Sequence, residues 1–448
     1  MALYAMCNKR YLRVWPLAVL LLLTLVLVLH NLKQALLLNQ NTYWMQEAEM
    51  APPTVSPRTI RLFEFLNCTN RPLRLQRLQH GDYWLLQNLV VGQISRHMGC
   101  AESITLTTNA DYTFFDNLEM LVQRWLGPIS FAIFAPGRDV NDTLDAIQYV
   151  RNCLPSSDLI RDYVTFHIYF PNGHMPTYVP YDEAEALTWP YKCFWANGSV
   201  ASPPYLNREG GETYRVQKNL TYPINVGRNI ARKAANTHFI FANDIELIPS
   251  TGIVDQFLDM VDRNHSVLAL DPKQPRRVFP FPVYELQQNE SVPAEKAELL
   301  TLLKRKGAQI FHSLVCARCH RVPGQQKWLQ NNPNITNELQ VISVGLRMGP
   351  FRTWEPFYVS DNTEPLFDER VTWEGQSNKR IQGYAMCLLG YEYHVLHPAF
   401  LAHSPGIKKP PTSKSPRLKY AREMTRFIKS KIEPEYRVLF GNRKNCTT

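Results

Sequence analysis

From Ile104 onward the chain alternates between short apolar runs and stretches whose apolar residues recur at helical spacing. Ile104–Thr108 has the length and alternation of a strand, and Phe115–Trp125 carries Leu118, Leu121, Val122 and Trp125 on one helical face. Ile129–Ala135 is a buried-strand run stopped by Pro136 and Gly137; Asp142–Val150 returns to helical spacing, and Val164–Phe170 is a third strand. Pro223–Ala235 predicts a helix, His238–Ala242 a fourth strand, Ser250–Val261 a helix and Val267–Leu270 a further strand. Residues 275–350 are less regular, and Tyr420–Ile432 predicts a basic amphipathic helix. Strands alternating with helices predict an α/β domain built on a largely parallel sheet.

The residues before Ile104 predict a different organisation. Val14–Leu29 is apolar apart from Thr24 and follows Lys9, Arg10 and Arg13. Extended to Leu32, with Lys33 reaching back to the interface, it approaches the ~20 residues a spanning helix needs. The positive flank puts residues 1–13 in the cytosol and the remainder in a lumen. No small-residue cleavage pattern follows, which disfavours the alternative of a removed signal peptide. A stem is expected over 33–65, containing the breaker-rich run Ala51–Pro57, and a lumenal domain over 66–448. These features predict a single-pass type II protein of the Golgi membrane. No internal repeat is visible.

Cysteines and sequons change the picture in the same direction. Apart from Cys7, the nine cysteines of the chain are Cys68, Cys100, Cys153, Cys193, Cys316, Cys319, Cys387 and Cys446, an even set compatible with disulfides whose pairing the sequence leaves open. Cys316 and Cys319 form a C-x-x-C beside His312 and His320, so zinc is an alternative there. Asn67, Asn141, Asn197, Asn219, Asn264, Asn289, Asn334 and Asn445 each open an N-x-S/T triplet, all beyond the apolar stretch. The formal net charge of +10 suits an anionic ligand, and the absence of an RNA-binding signature or basic–aromatic repeat argues against nucleic acid.

Four constellations carry candidate chemistry. Asp244-Ile245-Glu246 follows the strand His238–Ala242, at the end of an open α/β sheet where ligands gather. Two carboxylates two residues apart suit a hard divalent cation on a diphosphate, although such a triplet alone is ordinarily a solvated loop. Asn225, Arg228 and Asn229 open the helix before that strand, where a helix N-terminus and a guanidinium favour phosphate; ordinary solvated arginines are the plainer reading. His403, after the strand-like Tyr393–Phe400, is a candidate third metal ligand, with Lys408 on the phosphates, against the plainer reading of a core histidine in a turn. Asp368, Glu369 and Glu374 are candidates for the base that takes an acceptor hydroxyl proton, against surface ion pairs.

Taken in order from His80-Gly81-Asp82-Tyr83-Trp84 through Ile104–Thr108, Asn225–Arg232, Phe241–Ser250, Glu355–Val359, Phe367–Arg370 and His403–Lys408, these segments resemble glycosyltransferase family 49, which includes the C-terminal transferase domain of LARGE-type enzymes. The resemblance implies a GT-A type, Rossmann-like nucleotide-sugar-binding domain. It also implies manganese dependence and beta-1,4-glucuronyltransferase activity: inverting transfer of glucuronic acid from UDP-glucuronate to a xylose-containing glycan of the O-mannosyl type. By position it makes Asp244, Glu246 and His403 the metal ligands, and puts Thr107 and Thr108 where the first strand meets the nucleotide. Glu246 departs from the aspartate often found there, and Trp373–Asn378 departs from the family's glycine/aromatic and acidic pattern, so the base stays open among Asp368, Glu369 and Glu374. The alternatives are transfer of N-acetylglucosamine in the poly-N-acetyllactosamine manner, or a non-catalytic glycan-binding relative. A homodimer is a further expectation.

Overall fold

The computed structural model describes residues 24–33, 56–206, 212–269, 271, 273–331, 338–403, 406–409 and 417–448. The described residues fall into two units, divided between Pro57 and Arg58. In the first, residues 24–33 are helical. Ten residues at ~1.5 Å each span about half of a ~30 Å hydrocarbon core. Among the described residues no helix is long and apolar enough to cross a membrane. The spanning anchor expected over 14–32, and with it the type II Golgi assignment, is therefore corrected; residues 14–23 lie outside the described residues.

α1 (Pro57–Leu66) lies at the end of the stretch read as a stem, all but its first residue in the second unit, and its Leu62 is fully buried. Among the described residues fourteen strands follow: β1 (Gln76–His80), β2 (Tyr83–Val90), β3 (Ile104–Ala110), β4 (Ile129–Phe134), β5 (Val164–Pro171), β6 (Phe239–Ala242), β7 (Leu247–Pro249), β8 (Arg277–Phe281), β9 (Val283–Leu286), β10 (Ala308–Ile310), β11 (Gln340–Gly345), β12 (Phe357–Ser360), β13 (Glu392–His397) and β14 (Leu401–His403). Among them run α2 (Leu118–Trp125), α3 (Asp139–Asn152), α4 (Ile224–Ala234), α5 (Ile253–Arg263) and α6 (Arg380–Leu388), with α7 (Arg417–Phe427) after the last strand. The fold is mixed α/β. One sheet has ten strands in the order β1-β2-β5-β4-β3-β6-β12-β8-β13-β11, and a second has four, β10-β9-β14-β7.

Within the large sheet β5, β4, β3 and β6 are mutually parallel. The chain steps outward from β3 to β4 to β5, then returns through α4 to place β6 on the other side of β3. That reversal creates a switch point, and the crevice beyond the carboxyl ends of β3 and β6 is where an open α/β sheet accepts ligands. Every residue of β3 and β4 is buried; β4 reads as an apolar run broken only by Ser130, whereas β3 alternates and also buries Thr105, Thr107, Thr108 and Asn109.

Several boundaries differ from the periodicity. Phe115 belongs to a 3-10 turn over Tyr112–Asn117, opened by Asp111, whose carboxylate accepts the Thr113 N–H. α5 starts only at Ile253, after Gly252 at φ 72°. Val267 ends a 3-10 turn instead of starting a strand, because the Asn264 side chain accepts the Ser266 N–H and folds the backbone back. Pro280 and Pro282 punctuate the region read as irregular, where short strands β8 and β9 lie.

α4 sits unusually close to the sheet. A Cβ on Gly227 would lie 2.6 Å from the Tyr169 hydroxyl and 2.8 Å from the Asn109 Cβ. A buried polar relay fixes the same contact. His167 Nδ1 accepts the Asn88 N–H at 2.8 Å; its Nε2 meets Ser130 Oγ at 2.8 Å, and that hydroxyl donates to the Ala231 carbonyl of α4. The Nδ1 lone pair is thus committed, and burial pushes the imidazole down to about 3. An unfolded histidine binds a proton near 6.5, so the folded state loses stability as pH falls below that value toward 3. The expected loss between pH 7 and pH 5 is about 2 kcal/mol from this residue. Urea unfolding at pH 7, 6 and 5 measures it: His167→Gln should be less stable at pH 7 yet show a shallower pH dependence, and an identical dependence in the two proteins would sink the assignment.

Candidate functional site

The acidic triplet lies on a turn that closes on itself. Asn243 donates its N–H to the Thr107 carbonyl at 3.0 Å, extending the β6–β3 pairing by one residue, and its side-chain amide donates to the Leu247 carbonyl at 2.7 Å. Leu247 N–H in turn donates to the Asp244 carbonyl at 2.9 Å. Ile245 is buried, so the side chains before and after it are set outward.

Asp244 meets two cations. Arg228, one and a half turns into α4, donates from Nη2 to Oδ1 at 2.9 Å, and Lys379 Nζ donates to Oδ2 at 2.6 Å. Burial alone would raise the Asp244 pKa, but the charge of Lys379 and then of Arg228 outweighs it and holds the carboxyl well below its usual range. Lys379 is pushed down to about 8, mainly by burial and against the pull of Asp244; its ammonium also lies 3.4 Å from the centroid of the Phe357 ring. Asn225 orients this group from below: its Oδ1 accepts Arg228 Nη1 at 2.9 Å, while its amide donates to the carbonyls of Asp368 and Asn378.

The second sheet completes the site. β14 pairs antiparallel with β7, setting His403 opposite Leu247 across a chain separation of more than 150 residues. His403 Nε2 thereby comes within 3.9 Å of the Glu246 carboxylate. Asp244, Glu246, Arg228, His403, Lys408 and Lys379 line one cleft of about 320 Å³. His312, His320, Glu355, Arg380, Lys409 and the Cys316–Cys319 disulfide line it as well. In the structure the C-x-x-C is bridged, and six of the remaining cysteines pair as Cys68–Cys100, Cys153–Cys193 and Cys387–Cys446. Arg380 donates to Glu355 Oε1 at 2.8 Å and lies 3.0 Å from Cys319 Sγ. Burial, with His320 and Lys408 adding to it, pushes His312 down to about 3; burial pushes His320 down to about 4. Both imidazoles are neutral at pH 7.

The other expected residues lie elsewhere. β3 continues to Ala110, so Thr107 and Thr108 are inside the sheet and fully buried, away from the cleft lining. Asn229 turns away from the cleft to hold Phe367 and Glu369. Glu369 bonds His80 at 2.7 Å; Asp368 takes Arg370 bidentately and the Tyr436 hydroxyl; Glu374 accepts the Tyr222 N–H. None of these three acids lines the cleft. Lys379, Glu355, Arg380, His312 and His320 were missed as site residues. Their local sequence carries no motif, and only the C-x-x-C next to the two histidines marked that segment.

As metal ligands the expected triple fits poorly. Both oxygens of Asp244 are engaged by cations at hydrogen-bond distance, and Glu246 faces His403 instead. No group of three or more His, Cys, Asp or Glu side chains among the described residues is arranged to hold an ion.

Residues 103–441 match the family described as glycosyl-transferase for dystroglycan. The chain belongs to that family. This glycosyltransferase is 28% identical over 329 residues to beta-1,4-glucuronyltransferase 1 of Danio rerio, and 25% identical over 328 residues to the Homo sapiens protein of the same name, with 72% of both chains covered each time. It is 23% identical over 304 residues to the Homo sapiens xylosyl- and glucuronyltransferase LARGE1, covering 67% of this chain and 31% of that one. Superposed on the solved structure of GalNAc-T7 with UDP, GalNAc and Mn2+, 76% of this chain is covered at a TM-score of 0.35 and 8% identity, a likeness too distant to bear on the site.

Removing the shared counter-ion should be costly in this transferase. Asp244→Ala leaves Arg228 and Lys379 facing each other in a largely buried place, and a loss of about 3 kcal/mol is expected. Thermal unfolding at low and high salt measures it; a melting temperature unchanged from the parent would show that the cluster adds nothing to stability.

Proposed function

We propose that this glycosyltransferase moves glucuronic acid from UDP-glucuronate, with inversion, onto a xylose-terminated glycan within a GT-A type domain. The observation that carries the reading is the cationic lining of the cleft. Arg228, Lys379, Arg380, Lys408 and Lys409 outnumber Asp244, Glu246 and Glu355 there. A donor with a diphosphate and a C6 carboxylate presents the anionic charge such a lining complements, and fixed cations also stabilise the charge that builds on the departing UDP. The glucuronyltransferase names of the relatives support the same donor.

An inverting transfer needs a base beside the acceptor hydroxyl. Of the three carboxylates in the cleft, Asp244 and Glu355 are each held by a cation at under 3 Å, whereas Glu246 is 40% exposed and has His403 at 3.9 Å. Glu246 is therefore the proposed base. Its carboxylate takes the hydroxyl proton, the acceptor oxygen bonds to C1 of the sugar, and the C1–O bond to UDP breaks with the electron pair leaving on the diphosphate.

The test is a donor screen with xyloside and lactosamine acceptors. Turnover of UDP-glucuronate on the xyloside is expected, with Glu246→Gln lowering kcat by about 10²-fold at little change in donor KM. Turnover of UDP-N-acetylglucosamine alone would replace the donor, and an unaffected Glu246→Gln would remove that residue from the base role.

A further inference from the structure

The pairing at Asp244 disagrees with a metal-ligand role, and the disagreement is built into the fold. Lys379 reaches Asp244 at the end of a loop in which two consecutive non-glycine residues, Gln376 and Ser377, sit in the left-handed region at φ 58° and 54°. Such residues cost of order 1 kcal/mol each and persist only where the surroundings over-determine them. Here the surroundings do so. Asn378 Oδ1 accepts Arg228 Nη1 at 2.8 Å, the Asn378 carbonyl accepts the Asn225 amide, and Arg380 N–H donates to the Ser377 carbonyl. The ammonium then seats on the Phe357 ring with only 12% of the Lys379 side chain exposed. A fixed cation is thus delivered to the carboxylate that would otherwise receive a divalent ion.

Charge balance gives the consequence. With five cations against three carboxylates the lining is already positive before any ion arrives. An ion at Asp244 would have to displace Lys379 from a short charge-assisted bond and leave its ammonium buried without a counter-charge. We propose that Lys379, together with Arg228, supplies the positive charge that holds the donor's diphosphate, so that nucleotide binding by this chain does not require a divalent ion. The inference rests on the uridine-diphosphate-donor reading above and assigns Lys379 a donor-binding role.

UDP binding to the full chain, followed by calorimetry in chelator and again with Mn2+, tests it alongside glucuronate turnover. In the parent, Kd for UDP should agree between the two conditions within about threefold. Lys379→Met should weaken binding in chelator by about tenfold or more, the range of one lost charge-assisted bond. Mn2+ should recover much of that loss, because the substitution frees Asp244 for the ion. A parent that binds UDP only with Mn2+ overturns the inference while leaving the transferase reading intact, as does a folded Lys379→Met that binds UDP in chelator like the parent. Failure to bind UDP under either condition overturns both. UDP binding in chelator without UDP-glucuronate turnover upholds the lysine's role and overturns only the donor. Should Lys379→Met not fold, the parent's response to chelator decides alone.

Discussion

Asp244 is the point at which distant parts of the molecule are tied by charge. Arg228 reaches it from α4, sixteen residues earlier, and Lys379 from the loop before α6, 135 residues later. The carboxylate offsets part of the cost of burying the two cations, and they in turn offset the burial that would otherwise raise its pKa. The ion cluster therefore sets the position of both segments relative to β6. Because Asn225 and Asn378 hold Arg228 from the other side, a shift in the 376–379 loop is transmitted to the helix that packs on β3 and β4.

The part of the lining around Glu355 is fixed by a different device. The Cys316–Cys319 bridge tightens a turn whose carbonyl at Cys319 accepts the Glu355 N–H at 2.8 Å. Glu355 then neutralises Arg380, the first residue of α6, directly after Lys379. Two adjacent cations are thus given separate counter-ions, Asp244 for one and Glu355 for the other. The neighbouring imidazoles of His312 and His320 remain neutral because a further proton in this cationic, poorly hydrated wall is opposed by burial and by Lys379. Positive charge is concentrated on a few aimed groups and kept off the rest of the lining.

Legibility in the sequence followed the range of the interactions. β4 and β6 were readable as short apolar runs, β3 by its length and alternation, β5 by apolar residues with only Thr165 and His167 among them, and α4 by its regular spacing. Asp244 and Arg228 were recognisable because they lie on those elements, at the sheet's carboxyl end. His403 was singled out by its place after an apolar stretch, yet its approach to Glu246 depends on the β14–β7 pairing, which three-residue strands do not announce. Asp368, Glu369 and Glu374 show the opposite failure. They were weighed as candidate bases against surface ion pairs, and Arg370, His80 and the Tyr222 backbone engage them. Sequence gives the type of a side chain and its element; whether its charge is already spent depends on partners as near as Arg370, two residues on, and as far as His80, 289 residues away, and the distant ones are set by topology.

That distinction bears on how acidic motifs of the D-x-E kind are interpreted. Two carboxylates after a buried strand are compatible with a metal only if their lone pairs are available. Here the first is saturated by an ammonium and a guanidinium, and the second is left facing the cleft with a histidine beside it. In the proposed function the same three letters divide into two tasks, one residue anchoring the cations that would meet an anionic donor and the other placed to take a proton. What separates the tasks is Lys379, a residue whose own neighbourhood carries no motif and whose effect arises only because a strained loop carries it across the cleft to Asp244.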